Sequence, residues 1–253
     1  MRTVMRCFLG TQGGHLIGSV AVVVALSACE VSGWPQDSRQ ELPVHIEWLI
    51  DRTPSWPRSA LEASLAEARR VCDALRPGDW LTVRFIAARS YSTSEVVTQV
   101  RLTAPSRVSG LASPAALRQR SVDSAAAAAV RDEACAKIPA AADVRMSRQT
   151  DISGAMAAAS GAFKSSTATH RQLLVASSDL EQTQQPGAVT IGLHGVIALL
   201  FAVESAQGRL VDLEQSIVAW REDLVRWGAT DVQVIPPGGI VDLAHYRRLP
   251  EDR

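Results

Sequence analysis

Short apolar runs separated by helical patterns set the strongest limit on what this chain can fold into. His45 to Ile50 (HIEWLI), Gln172 to Ser177 (QLLVAS) and Val196 to Val203 (VIALLFAV) are too short for ordinary helices and apolar at successive positions. A strand of that kind has to be covered on both faces, which is the condition of a parallel sheet between helical layers. Trp80 to Ala87 (WLTVRFIA) and Val96 to Leu102 (VVTQVRL) read as two further strands. A polar, serine-rich loop joins them as a hairpin-like pair, and Val232 to Ile235 gives a last short strand.

Helical patterns fill the intervals. Between Pro57 and Leu75, Leu61, Leu65, Ala68, Val71, Cys72 and Leu75 fall on one face, and Pro77-Gly78-Asp79 ends the pattern. Ala115 to Ile138 is alanine-rich and closed by Pro139, and Thr150 to Phe163 begins with cap-forming residues. From Leu210 to Trp227, Leu213, Ile217, Trp220, Leu224 and Trp227 form a stripe of the kind that packs a core. The order predicts a Rossmann-like, doubly wound α/β fold: a mostly parallel sheet with helices on both faces. Sites in such folds lie at the carboxyl ends of the strands, where the strand order reverses.

The first residues read differently. Arg2 and Arg6 precede an apolar run, Leu16 to Leu26, too short to cross a bilayer and matched to the core of a signal peptide. Leu26-Ser27-Ala28-Cys29 follows and resembles the lipobox of bacterial lipoproteins. The resemblance implies cleavage before Cys29 and lipidation of its thiol, anchoring the chain to a membrane in the cell envelope. Glu30, rather than aspartate, after the cysteine implies the periplasmic face of the outer membrane in a Gram-negative cell. The expected organisation is a signal peptide over 1–28, a polar tether over 29–43, a domain over 44–238 and a polar tail over 239–253. A helical insertion is expected at about 104–145.

The charge balance narrows the partners. Lysine plus arginine and aspartate plus glutamate both number 26. Loss of Arg2 and Arg6 with the signal leaves 24 basic residues against 26 acidic, a net charge of −2. Nothing in that balance would neutralise a phosphate backbone, so nucleic acid is not an expected partner. With Cys7 lost and Cys29 lipidated, Cys72 and Cys135 remain in a compartment that permits disulfides. A bridge between them and a pair of buried thiols are both open.

Chemistry-bearing side chains gather at three strand ends. Asp51-Arg52-Thr53-Pro54-Ser55 follows the first strand, Thr150-Asp151 the alanine-rich stretch, and Asp179 the run QLLVASS. Asp, Thr and Ser are also what turns and helix caps prefer, so each alone carries little. Together they offer carboxylates and hydroxyls, a hard, oxygen-only donor set suited to magnesium or manganese. The Gln182 to Gly187 loop would rim such a site. G-x-S-x-G, G-x-x-x-x-G-K, H-E-x-x-H and G-x-G-x-x-G are all absent from the sequence, and the histidines are scattered.

This pattern resembles the metal-ion-dependent adhesion site (MIDAS) of von Willebrand factor A domains: D-x-S-x-S after the first strand, a distant threonine and an aspartate after the fourth. Asp51, Thr53 and Ser55 match the first motif, Thr150 the threonine and Asp179 the aspartate. The resemblance implies a bound Mg2+ (or Mn2+ or Ca2+) whose open position takes an acidic group from a protein partner, and a binding rather than an enzymatic role. Thr53 keeps the hydroxyl of the usual serine, Pro54 fixes its own φ, and Leu180-Glu181 stand where many members have glycine. A scaffold lipoprotein with a degenerate metal site is one alternative. The other is a phosphotransferase similar to the haloacid dehalogenases, with Asp51 as nucleophile and Lys164 as the charge-neutralising lysine.

Overall fold

The computed structural model describes residues 41–104, 113–143, 145–166, 170–183, 189–204 and 210–248. Six strands form one sheet: β1 (Val44–Asp51), β2 (Trp80–Ile86), β3 (Val96–Arg101), β4 (Arg171–Ser177), β5 (Val196–Phe201) and β6 (Asp231–Ile235). Their order is β3-β2-β1-β4-β5-β6. Neighbours are parallel except β2 and β3, which pair antiparallel as the hairpin-like spacing predicts. From β1 the chain runs outward to β2 and β3, then crosses back to place β4 on the other side of β1. The order therefore reverses between β1 and β4.

Burial follows from that order. Every residue of β1, β2 and β5 is buried, because these strands have neighbours on both sides and helices above and below. The edge strand β3 alternates buried and exposed positions instead.

Five α-helices cover the described residues: α1 (Arg58–Asp73), α2 (Pro114–Ala140), α3 (Ile152–Lys164), α4 (Leu210–Arg226) and α5 (Leu243–Arg248). Ile46, Trp48 and Ile50 of β1 face a core with Leu61, Leu65 and Val71 of α1, Cys135 and Ile138 of α2, and Leu243 and Tyr246 of α5. Leu49, Leu174 and Leu200 face the opposite core with Ile152, Met156 and Phe163 of α3 and Leu224 of α4. Leu213, Ile217, Trp220 and Trp227 pack against that second core, so the stripe read from the sequence is a packing face. The fold is a doubly wound α/β sheet with helices on both faces. One buried polar relay links α1 to the sheet: Trp48 Nε1 donates to Ser64 Oγ at 3.1 Å, and Ser64 Oγ to Ser177 Oγ at 2.8 Å.

Cys72 and Cys135 are joined, their Cα atoms 5.7 Å apart, which decides between the two open alternatives. The bridge ties α1 to the buried end of α2 and closes a span of 63 residues. The helix expected as an insertion is thus part of one covering layer, packed beside α1.

Two differences from the sequence reading have physical causes. The strand expected over VIALLFAV ends two residues early: β5 stops at Phe201 because Ala202 takes a left-handed backbone conformation, φ 49°. Past residue 238, where a polar tail is expected, Val241, Leu243, Tyr246 and Arg247 are buried. Arg247 pairs with the buried Asp79 carboxylate, and the Val241 N–H donates to Glu67 Oε1 at 2.6 Å. Charged partners hidden on other elements allow a charged segment to dock. At the other end, the Leu42 N–H donates to the Arg247 carbonyl, so the expected tether is bound to the domain at its last residues. The apolar run and Cys29 lie outside the described residues. Among those described, no helix is long and apolar enough to cross a membrane.

Candidate metal centre

The strand order puts the ends that carry Asp51 and Asp179 side by side. Ile50 is in register with Ser177, so Asp51 and Ser178 are the next residues on adjacent parallel strands, at the point where the sheet order reverses. Asp51 is the last residue of β1, and Asp179 lies just past β4, the placement that the resemblance implies.

After Asp51 the chain turns before α1 begins. The Thr53 N–H donates to Asp51 Oδ1 at 2.8 Å, and the Thr53 hydroxyl donates to the same oxygen at 2.7 Å. Thr53 Oγ1 lies 3.0 Å from Ser55 Oγ. Because the Thr53 proton is already committed to the carboxylate, Ser55 is the donor of that pair. None of the three caps α1, whose N-cap is Pro57 with no side-chain bond. The turn is therefore built on the carboxylate rather than on the helix start.

The other carboxylate oxygen is held from β4. Ser178 Oγ donates to Asp51 Oδ2 at 2.6 Å and lies 3.4 Å from Asp179 Oδ1. The Leu180 N–H donates to Ser178 Oγ at 3.0 Å and the Glu181 N–H to Asp179 Oδ1 at 3.0 Å. Ser178 thus links the two carboxylates. It is missing from the sequence-predicted set; its only signal is a second serine in Ser177-Ser178-Asp179.

Thr150 arrives from the third element. Its N–H donates to Thr183 Oγ1 at 2.8 Å, and its carbonyl accepts from the Thr183 N–H at 3.2 Å, joining the start of α3 to the segment after Asp179. The helix cap is Asp151, which accepts from the Gly154 N–H at 2.8 Å. Thr150 is left out of the capping. Of the rim loop expected at 182–187, residues 184–187 lie outside the described residues.

Electrostatics set this cluster apart. Asp51, Asp179 and Thr150 are essentially inaccessible. Among the described residues neither carboxylate has an ion-pair partner; the neighbouring Arg52 is paired with Glu95 at 2.7 Å. Burial pushes the Asp51 carboxyl up to about 6, and Asp179 adds to the rise. The hydrogen bonds from Ser178 and Thr53 oppose it. Among the described residues, Asp179 Oδ2 and Thr150 Oγ1 are buried with no hydrogen-bond partner. Among the described residues, no group of three or more His, Cys, Asp or Glu side chains is placed to hold a metal ion. The donors here are two carboxylates and several hydroxyls, which fits a hard divalent cation and not a soft one.

The phosphotransferase alternative loses its lysine. Lys164 is the last residue of α3, about 18 Å of helix from Asp151 and the strand ends. It lines a surface groove with Tyr91, Ser160 and Gly161.

No protein-family model matches the chain, and no curated protein matches it. Solved structures do. One is a von Willebrand factor type A protein from Catenulispora acidiphila, 12% identical, with 81% of this chain and 40% of that one covered and a TM-score of 0.41. Another is the pilus adhesin SpaC from Lactobacillus rhamnosus GG in an open conformation, 9% identical, covering 81% and 29%, with a TM-score of 0.39. The chain thus spans less than half the length of either.

Proposed function

We propose that Asp51, Thr53, Ser55, Thr150 and Asp179 form a divalent-ion site, for magnesium first and manganese or calcium otherwise. In this reading the loaded site binds a protein partner that offers an acidic group. The observation that carries the reading is that Thr150 Oγ1 and Asp179 Oδ2 are buried and unpartnered among the described residues, in segments that the Thr150–Thr183 bonds join, and that Asp51 and Asp179 have no counter-ion there. Leaving such atoms unmet is costly, and a cation would meet them together. When bound, the ion supplies positive charge and an open coordination position to a partner carboxylate. Asp51 is kept in place from both sides, by Thr53 on one oxygen and Ser178 on the other.

The same proposal assigns the chain a binding role without catalysis. It places the chain in the cell envelope as a lipoprotein tethered through Cys29, on the periplasmic face of the outer membrane in a Gram-negative cell. Calorimetric titration of magnesium and manganese into the purified chain tests the site, beside Asp51→Ala and Asp179→Ala. Saturable binding lost in both variants is expected. Absence of heat and of any thermal shift at millimolar ion would overturn the metal reading and leave a scaffold lipoprotein.

A further inference from the structure

The segment after β4 carries a backbone conformation that its sequence resists. Leu180, immediately after Asp179, has φ 63°, in the left-handed region that a branched side chain avoids. It is buried, and its side chain packs in the core under α3 and α4. Strain of this kind persists only where the surroundings over-determine it, and it gathers at functional sites. Ala202, at the end of the adjacent β5, is likewise left-handed.

Two bonds fix Leu180. Its N–H donates to Ser178 Oγ, and its carbonyl accepts from Trp220 Nε1 at 2.9 Å. The first lies inside the loop. The second comes from α4, 40 residues downstream. The Trp220 ring is itself braced edge-on by Trp227, centroids 5.9 Å apart. The serine that donates to Asp51 and the aspartate with the unpartnered oxygen therefore sit in a turn clamped by one indole N–H. A stripe residue that looks like core filling has a polar role as well.

We propose that Trp220 is a positioning residue for the metal centre: by holding the Leu180 carbonyl it keeps the strained turn in the conformation that presents Ser178 and Asp179 to the site. The proposal rests on the metal reading above, and it has a consequence that is independent of metal. Without the clamp, the turn should relax toward ordinary backbone angles and expose the Leu180 and Glu181 amides.

The test compares Trp220→Phe with Trp227→Phe. Both remove one indole N–H, the first from α4 and the second from the residue that follows it, but only the first removes the loop contact. Amide hydrogen exchange, followed by NMR on the metal-free chain, should show the Leu180 and Glu181 amides exchanging about tenfold faster in Trp220→Phe and unchanged in Trp227→Phe. Magnesium titration should then show affinity about tenfold weaker in Trp220→Phe alone. Adding Leu180→Gly to Trp220→Phe, which removes the left-handed penalty, should restore part of that affinity. Equal exchange rates in the two single variants overturn the proposal. So does wild-type magnesium affinity in Trp220→Phe, while the metal reading stands. Failure of the wild-type chain to bind magnesium overturns the metal reading and this proposal together.

Discussion

Ser178 and Asp51 meet at 2.6 Å although 127 residues separate them in the chain. The bond closes the gap between the two strands at which the sheet changes direction. It also gives the buried Asp51 one of the few donors that favour its charged form. Ser178→Ala should therefore raise the Asp51 carboxyl above its already high position and cost about 1–3 kcal/mol of stability at neutral pH, where an acceptor is left unmet. Carbon-13 NMR titration of the Asp51 carboxyl, with urea unfolding, reads both effects. A carboxyl that titrates lower in the variant would contradict the assigned role.

The position of Asp51 at about 6, against an ordinary 3.8, also fixes the direction of a pH effect. The folded state holds this proton more tightly than the unfolded chain. The contribution of Asp51 is thus most favourable below about pH 4 and is lost as pH rises to about 6, by about 3 kcal/mol for a displacement of this size. Asp51→Asn carries no such loss. In metal-free thermal melts it should match the wild type near pH 4, gain on it up to pH 6 and hold a constant advantage beyond. A wild type that gains on the variant as pH rises would show the opposite linkage.

Thr150→Val distinguishes a ligand from a structural hydroxyl. Thr150 Oγ1 is buried without a partner, so replacing it with a methyl group should cost nothing in the metal-free chain and add up to about 1 kcal/mol. Magnesium affinity should fall at least several-fold in the same variant. If thermal melts show the metal-free variant clearly less stable than wild type, the hydroxyl serves the fold instead.

The disulfide should be separable from the site. Opening Cys72–Cys135 releases a 63-residue span, worth about 4 kcal/mol in the chain-entropy account. Cys72 lies near the far end of α1 from the Asp51 turn, about 21 Å of helix away. A double Cys→Ala variant should lose urea resistance on that scale and keep its magnesium affinity. A joint loss of both would tie the bridge to the site.

The fold was legible because the strands are buried on both faces: β1, β4 and β5 betray themselves by apolar runs, and in β1 and β4 a polar residue marks the strand end. Asp51 and Asp179 could be found on that ground alone. Ser178 could not, because a hydroxyl beside an aspartate looks like any strand terminus until the neighbouring strand is in register. Leu180 was hidden for another reason: leucine carries no hint of a left-handed backbone, and the bonds from Ser178 and Trp220 that hold it come into view only in the fold. The docking of residues 241–248 was equally invisible, since Arg247 is buried by virtue of Asp79, which lies 168 residues earlier. Pairings at such separations leave no periodicity behind.

The hydrogen bond from Leu42 to Arg247 brings the first and last described elements side by side at the amino end of β1. Asp51 stands at the opposite end, a strand length of about 23 Å away. Tension applied through the residues before Leu42 would thus load the Leu42–Arg247 contact first and reach Asp51 only through the length of β1.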